Sequence, residues 1–305
     1  MNKKILNQIA GVSFKRYRQF YKQSIPVREK RAILKSIETA NQENNLAYGL
    51  LPDGKLGYFF IFRKTFMGDF HEHFFHVSSC YCLPPVRRQF YAHLKRCAKA
   101  RKEETKKVEK VRRVAIEISA EDIVSRKYFE KQGILTYIEL LGNTKKSLAI
   151  LRSKQLDNPD IKIALIEKKD INRLVELDRE SHIKDKTSRM HTLFKRADAK
   201  KGMRKFYQGL LKNKSLLVAK ERGKLVGDIG YFLDKKRKLG LIAAIFVARD
   251  SQGKGVSRLL YQRVLREFEK QKLPFYLGAS TTERVLATAK SIGRTKTKWV
   301  YLLKI

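Results

Sequence analysis

Residues 243–262, AAIFVARDSQGKGVSRLLYQ, carry the strongest chemical signal in the chain. An apolar run leads into the turn Gln252-Gly253-Lys254-Gly255-Val256-Ser257, and an amphipathic pattern follows. Strand, glycine turn and helix in that order make a cradle for phosphate. Gly253 and Gly255 permit positive φ and close backbone approach. Successive N–H groups then face an anion at a helix N-terminus, the helix dipole favours it, and Lys254 adds charge. The lysine does not follow the second glycine as a Walker loop requires, and the third glycine of the dinucleotide fingerprint is missing.

The spacing Gln-x-x-Gly-x-Ser, directly after IFVARD, resembles the pyrophosphate loop of the GCN5-related N-acetyltransferases, (Gln/Arg)-x-x-Gly-x-(Gly/Ala). Ser257 takes the last place of that motif. The resemblance implies acetyl-CoA as co-substrate, bound through Ile245, Phe246 and Val247 and through Gln252, Gly253, Lys254, Gly255, Val256 and Ser257. Ser280, Thr281 and Thr282 follow the fifth strand, where this family places polar groups near the pantetheine, so Thr282 joins the expected set. The same three serve equally well as N-caps of the next helix.

In that family an amine attacks the thioester directly. A base takes the amine proton, N–H groups of a splayed fourth strand hold the oxyanion, and a late-helix tyrosine protonates the thiolate. Here Ala289 stands at the tyrosine position, and the fourth strand, LGLIAAIFV, has no carboxylate. Asp228, alone in LVGDIGYFL, is the nearest candidate base. Its competing reading is a structural strand aspartate. A water chain can replace both acid and base.

The metal-ligand residue types His71, His73, His76, Cys80, Cys82, His93 and Cys97 gather in the first half. C-x-C is not C-x-x-C, and no zinc spacing emerges, so no metal is expected. Three cysteines form no disulfide framework and point to a reducing, cytoplasmic setting. MNKKILNQIAGVSF is not a secretory signal, because Asn7 and Gln8 interrupt it, although a secreted, host-directed role stays open. No apolar run is long enough for a membrane span. Nothing in the pattern sets the oligomeric state.

Lys and Arg number 68 against 30 Asp and Glu, a net charge of +38. Residues 1–150 carry 30 basic and 14 acidic residues, and residues 151–305 carry 38 and 16. The whole body is therefore positive. Such a field draws in coenzyme A, RNA, ribosomes, acidic proteins or anionic lipid, or it is a solvated surface with no particular partner. Helix 87–107, with Arg87, Arg88, Lys95, Arg96, Lys99, Arg101, Lys102, Lys106 and Lys107, reads equally as a phosphate track or a solvated face. The basic run 234–238 reads as a turn.

Helices are expected at 2–24, 27–42, 87–107 and 121–133, with hairpins turning at Pro52–Lys55 and Arg222–Gly223. Further helices are expected at 170–181, 203–213, 257–271 and 281–293. Both halves read as helices, hairpin, strand, basic helix, strand, short helix, strand. The fold class is mixed α/β: two tandem domains, each a mixed, mostly antiparallel sheet flanked by helices. The expected division is a degenerate domain at 1–143, a linker at 144–160 and an acetyl-CoA-binding domain at 161–305. In the first half Arg87, Phe90 and Ala92 stand for Gln252, Gly255 and Ser257, so Phe90 would fill the phosphate space. The function indicated is acetyl-CoA-dependent N-acetyl transfer to an amine. Its rivals are an aminoacyl-tRNA-dependent acyltransferase and a non-catalytic protein that docks to an anionic partner.

Overall fold

The computed structural model describes residues 3–21, 24–25, 27–67, 72–106, 114–154, 158–184, 195 and 199–303. The first half runs α1 (Lys3–Tyr21), α2 (Val27–Gln42), β1 (Leu46–Leu50), β2 (Leu56–Met67), β3 (Glu72–Cys82), α3 (Arg87–Lys106), β4 (Val114–Ser119), α4 (Ile123–Gln132) and β5 (Gly133–Asn143). The second runs α5 (Thr144–Arg152), β6 (Ile161–Leu165), α6 (Ile171–Lys184), α7 (Ala199–Lys212), β7 (Leu216–Glu221), β8 (Lys224–Asp234), β9 (Leu239–Val247), α8 (Val256–Lys270), β10 (Phe275–Ser280), α9 (Glu283–Ser291) and β11 (Thr295–Leu303). The fold is mixed α/β, as the alternation of elements predicts. No helix among the described residues is long and apolar enough to cross a membrane.

Two compact units form, Met1–Leu135 with Lys298–Ile305, and Thr136–Thr297. The sheet of unit 1 is ordered β1-β2-β3-β4-β11 and that of unit 2 β6-β7-β8-β9-β10-β5. Each has antiparallel hairpins, one parallel pair (β3 with β4, β9 with β10) and an antiparallel closing strand. The closing strands are exchanged relative to chain order. β11, the last strand of the chain, pairs with β4, from Lys298 opposite Ser119 to Leu303 opposite Val114. β5, which ends the first half, pairs with β10, from Phe275 opposite Asn143 to Ser280 opposite Ile138.

Residues Thr144–Arg152, inside the stretch read as a linker, form a helix. Asn143 caps it by accepting from the Lys146 amide at 2.9 Å. Leu148 and Leu151 are fully buried in the core of unit 2, and Ser147 donates to the Ile292 carbonyl at 2.7 Å.

Strand alternation sorts the side chains onto two faces. In unit 1, Tyr58, Phe60 and Phe62 pack with Phe90, Leu94 and Ala98 of α3, while Phe59 and Ile61 pack with Ile5, Ile9 and Ile37 of α1 and α2. In unit 2, Ile229 and Tyr231 face Leu260, Val264 and Phe268 of α8. The opposite face is covered by Leu174, Val175, Tyr207 and Leu210 of α6 and α7, against Leu216, Val218 and Phe246.

Candidate functional site

β9 and β10 pair only over Leu239–Leu241 and Phe275–Leu277. β10 stays bound to β5 along its whole length, and β9 continues along β8 to Val247. The two strands therefore part beyond residue 241. A bulge drives this divergence. Gly230 lies opposite Ala244 and Tyr231 opposite Ile242, which leaves Ala243 without an opposing residue. A bulged strand bends and twists more strongly.

β9 ends in a 3-10 turn, Arg249–Ser251, and the glycine turn follows. Gly253 has φ 84°, and no atom lies within 4 Å of where a Cβ would stand. Gly255 is left-handed (φ 82°, ψ 0°) and is the N-cap of α8, with no side-chain capping bond. The first amides of α8 are thus left for an outside acceptor, at the positive end of a 15-residue helix. These are the features a diphosphate needs.

The side chains of the turn are mostly committed elsewhere. Gln252 Nε2 donates to the Val247 carbonyl at 3.0 Å, and Arg284 donates to Gln252 Oε1. Gln252 is therefore a latch that holds the turn to β9 and α9. Lys254 Nζ lies 3.0 and 3.2 Å from the two Glu221 carboxylate oxygens, and Ser251 donates to Glu221 at 3.1 Å. The Lys254 hydrogen bond holds the Glu221 carboxyl below its ordinary range. Val256, the first residue of α8, is buried in the core of unit 2, while Ser257 is half-exposed in the first helical turn. Ile245 and Val247 pack toward the α8 core, and Phe246 is buried on the opposite face. Residues 245–247 can therefore serve a ligand chiefly through their backbone. Thr282 is the N-cap of α9, yet its hydroxyl makes no capping bond; its amide instead donates to Ser280 Oγ at 3.0 Å. Sequence reasoning missed Arg284 and Glu221, whose roles depend on which turns meet.

Asp228 lies on the α6–α7 face, fully buried, opposite Val218 and Phe246. Neither carboxylate oxygen has a hydrogen-bond partner. Burial first, and the negative charge of Asp178 second, push its carboxyl well above the usual range. Nearby, Tyr207 donates to Asp178 at 2.8 Å, and burial raises its phenol as well. Burial without a hydrogen-bond partner favours the uncharged carboxyl, the form that cannot take a proton from an amine. Ala289 is also fully buried, so the space for a tyrosine there is absent.

Unit 1 has the parallel pair but not the cradle. Four residues separate β3 from α3, against eight between β9 and α8. The 3-10 turn Pro84–Val86 runs straight into α3, so the counterpart of Gln252–Gly255 is missing altogether. Pro84 and Pro85 also lack N–H donors. This corrects the expected correspondence: Phe90 does not fill a phosphate site but is buried in the core, with ring centroids 5.7 Å from Tyr58 and 5.8 Å from Phe60. The Cys80 thiol donates to the Glu117 carbonyl at 3.0 Å, a bond from β3 to β4, and burial pushes this thiol up to about 11.

Cys97 packs against the apolar core of unit 1, and three other histidines and cysteines there have polar partners. His93 bonds Tyr58 at 2.9 Å, His76 lies 3.2 Å from Glu117, and Cys82 donates to the Leu83 carbonyl. Among the described residues no group of three or more His, Cys, Asp and Glu could hold a metal. His71 and the side chain of His73 lie outside the described residues.

Residues 171–289 match the Acetyltransferase (GNAT) family, and unit 2 carries a GNAT domain. The fold is similar to that of a GCN5-related N-acetyltransferase from Sphaerobacter thermophilus, with 14% identity over 90% of this chain and 85% of that one, at a TM-score of 0.54. It is also similar to a structure of the GCN5-related glucosamine N-acetyltransferase region of a fungal multi-domain GH3 β-N-acetylglucosaminidase. That match has 12% identity over 96% of this chain and 37% of that one, at a TM-score of 0.50. At such identities the likeness establishes fold, not substrate. No curated protein matches the chain.

Proposed function

We propose that unit 2 is an acetyl-CoA-dependent N-acetyltransferase acting on an amine still to be identified. One observation carries the reading. The left-handed Gly255 opens α8 with uncapped amides, directly after a strand that parts from its parallel neighbour. Of the anionic partners that the positive body favours, coenzyme A is the one this turn suits. Amides of residues 253–257 would hold its phosphates, with the Thr282 hydroxyl and the backbone of residues 245–247 along the opening. When bound, acetyl-CoA supplies an acyl group already activated as a thioester. The chain supplies position and N–H donors on the free edge of β9 for charge developing on oxygen. Asp228, neutral and buried, leaves proton removal from the amine to water. The acid side is likewise left to solvent, since Ala289 offers no hydroxyl.

Calorimetry with acetyl-CoA tests the binding half of this reading, and thiol release with a panel of amines tests the catalytic half. Micromolar binding with amine-dependent thiol release supports it. Binding without release, with every amine, peptide and RNA-borne amine tried, favours the non-catalytic reading. That rival draws on the neutral Asp228 and the buried Ala289.

A further inference from the structure

We propose that the exposed face of α3 in unit 1 docks single-stranded nucleic acid through its phosphates. α3 stands in unit 1 where α8 stands in unit 2, but it has no phosphate turn at its start. Its apolar side is consumed by the core, with Phe90, Leu94 and Ala98 buried. Its outer side presents Arg88, Lys95, Arg96 and Lys99, all exposed and none with a carboxylate partner among the described residues. Between Arg87 and Lys102 there is no acidic residue, and the exposed residues among the cations are Gln89, Ala92 and Ala100. The exposed Glu103, one turn past Lys99, and Asp122 at the cap of the neighbouring α4, 3.7 Å from Arg87, bound the stripe at its two ends. From residue 88 to 99 the stripe extends about 16 Å along the helix.

Charge complementarity sets the class of partner, and the neighbouring chemistry narrows it. A lipid surface gripped by a helix calls for an apolar stripe on that helix's exposed face, and among the described residues α3 exposes no large apolar side chain; the nearest, Ile123 and Val124, open the neighbouring α4. A protein partner calls for aromatic or aliphatic anchors, and the stripe has none. A recognition helix in a duplex groove offers its first turns to the base edges, and the start of α3 is engaged with α4, Arg87 lying 3.7 Å from Asp122 and Tyr91 donating to Ser125 at 2.9 Å. What remains is one line of cations along one flexible strand of phosphates.

α7 supplies the contrast. It also exposes Lys201, Arg204, Lys205 and Lys212. But it packs beside α6, whose Glu176 takes Lys200 at 3.6 Å and whose Glu180 is exposed. A strand of phosphates would meet those carboxylates.

The test uses the full chain and a fluorescent oligouridylate in a salt titration. The variant R88Q/K95Q/R96Q/K99Q is compared with K201Q/R204Q/K205Q/K212Q, which removes the same charge. Four phosphate contacts on a single strand predict a log–log salt slope smaller by about 3 in the α3 variant. Affinity at about 50 mM salt should fall tenfold or more in that variant and less than threefold in the other. Photo-crosslinking of thiouridine-substituted RNA to the unaltered protein should label the peptide that contains α3. Equal weakening by both variants would overturn the proposal, because diffuse body charge would then account for binding. Tighter binding to phosphatidylserine vesicles than to RNA, lost in the α3 variant, would also overturn it. Acetyl-CoA affinity of the α3 variant, read alongside, should be unchanged; failure of acetyl transfer leaves this test unaffected.

Discussion

Lys254 Nζ sits 3.0 Å from Glu221 Oε1, so the cation of the phosphate turn is already engaged by a carboxylate. Both side chains are partly exposed, and such a pair contributes little by itself. Anion binding at this turn then falls chiefly to backbone amides. Lys254→Ala should lower acetyl-CoA affinity by less than about tenfold, and Glu221→Gln should raise it about two- to fivefold at low salt. Calorimetry of the two variants checks this. A hundredfold loss in Lys254→Ala would show that the lysine, not the backbone, carries the phosphates.

Unit 1 should bind no coenzyme, because its strand-to-helix turn is four residues shorter and contains two prolines. A saturating titration with acetyl-CoA should give one ligand per chain. A second ligand near residues 83–87 would contradict the missing turn.

Asp228 ties stability to pH. Its folded-state carboxyl is raised, so its contribution is fully present below the unfolded value, about 4, and is lost as pH rises through the folded value. Asp228→Asn cannot ionise. Its melting temperature relative to the parent should therefore climb as pH rises above about 4. A difference that stays flat with pH would mean Asp228 is not buried as a neutral acid. At pH 7 the same variant should change kcat by less than about threefold, whereas loss of a true base costs about a hundredfold or more.

Ala289 is closed on all sides, so Ala289→Tyr should destabilise the protein by about 1–3 kcal/mol through overpacking rather than restore an acid. Thermal melts read this directly. A stable variant with faster thiol release would show that a pocket exists there.

Much of the site was legible because it is local. The positive φ at Gly253 and Gly255, the start of α8 beside Ser257 and the strand before it all follow from neighbours in sequence. Non-local facts were not legible. β5 and β11 are both apolar strands at the ends of their halves, and nothing in their composition says that each pairs outside its own half. The helix at 144–152 was hidden by a lysine-rich, polar start, though Leu148 and Leu151 mark its buried face. The upward shift of the Asp228 carboxyl comes from its burial under α6 and α7, which a lone aspartate in a strand does not reveal.

The strand exchange has its own consequence. Tyr301, four residues from the chain end, is buried with Phe129 and Ile116 in the core of unit 1. Tyr301→Ala should cost about 3–5 kcal/mol there. Hydrogen exchange should quicken in β4 and α4 while acetyl-CoA binding by unit 2 persists. Loss of protection confined to β9, β10 and α8 would contradict the pairing.

The central claim is that the turn at Gly255 is the diphosphate site, and Gly255→Trp measures it most directly. A tryptophan there must abandon the left-handed conformation or place its ring over the α8 amides. Calorimetry should then show acetyl-CoA binding weakened by at least about a hundredfold, with the melting transition kept. A Gly255→Trp variant that binds acetyl-CoA like the parent would place the coenzyme elsewhere and overturn the account.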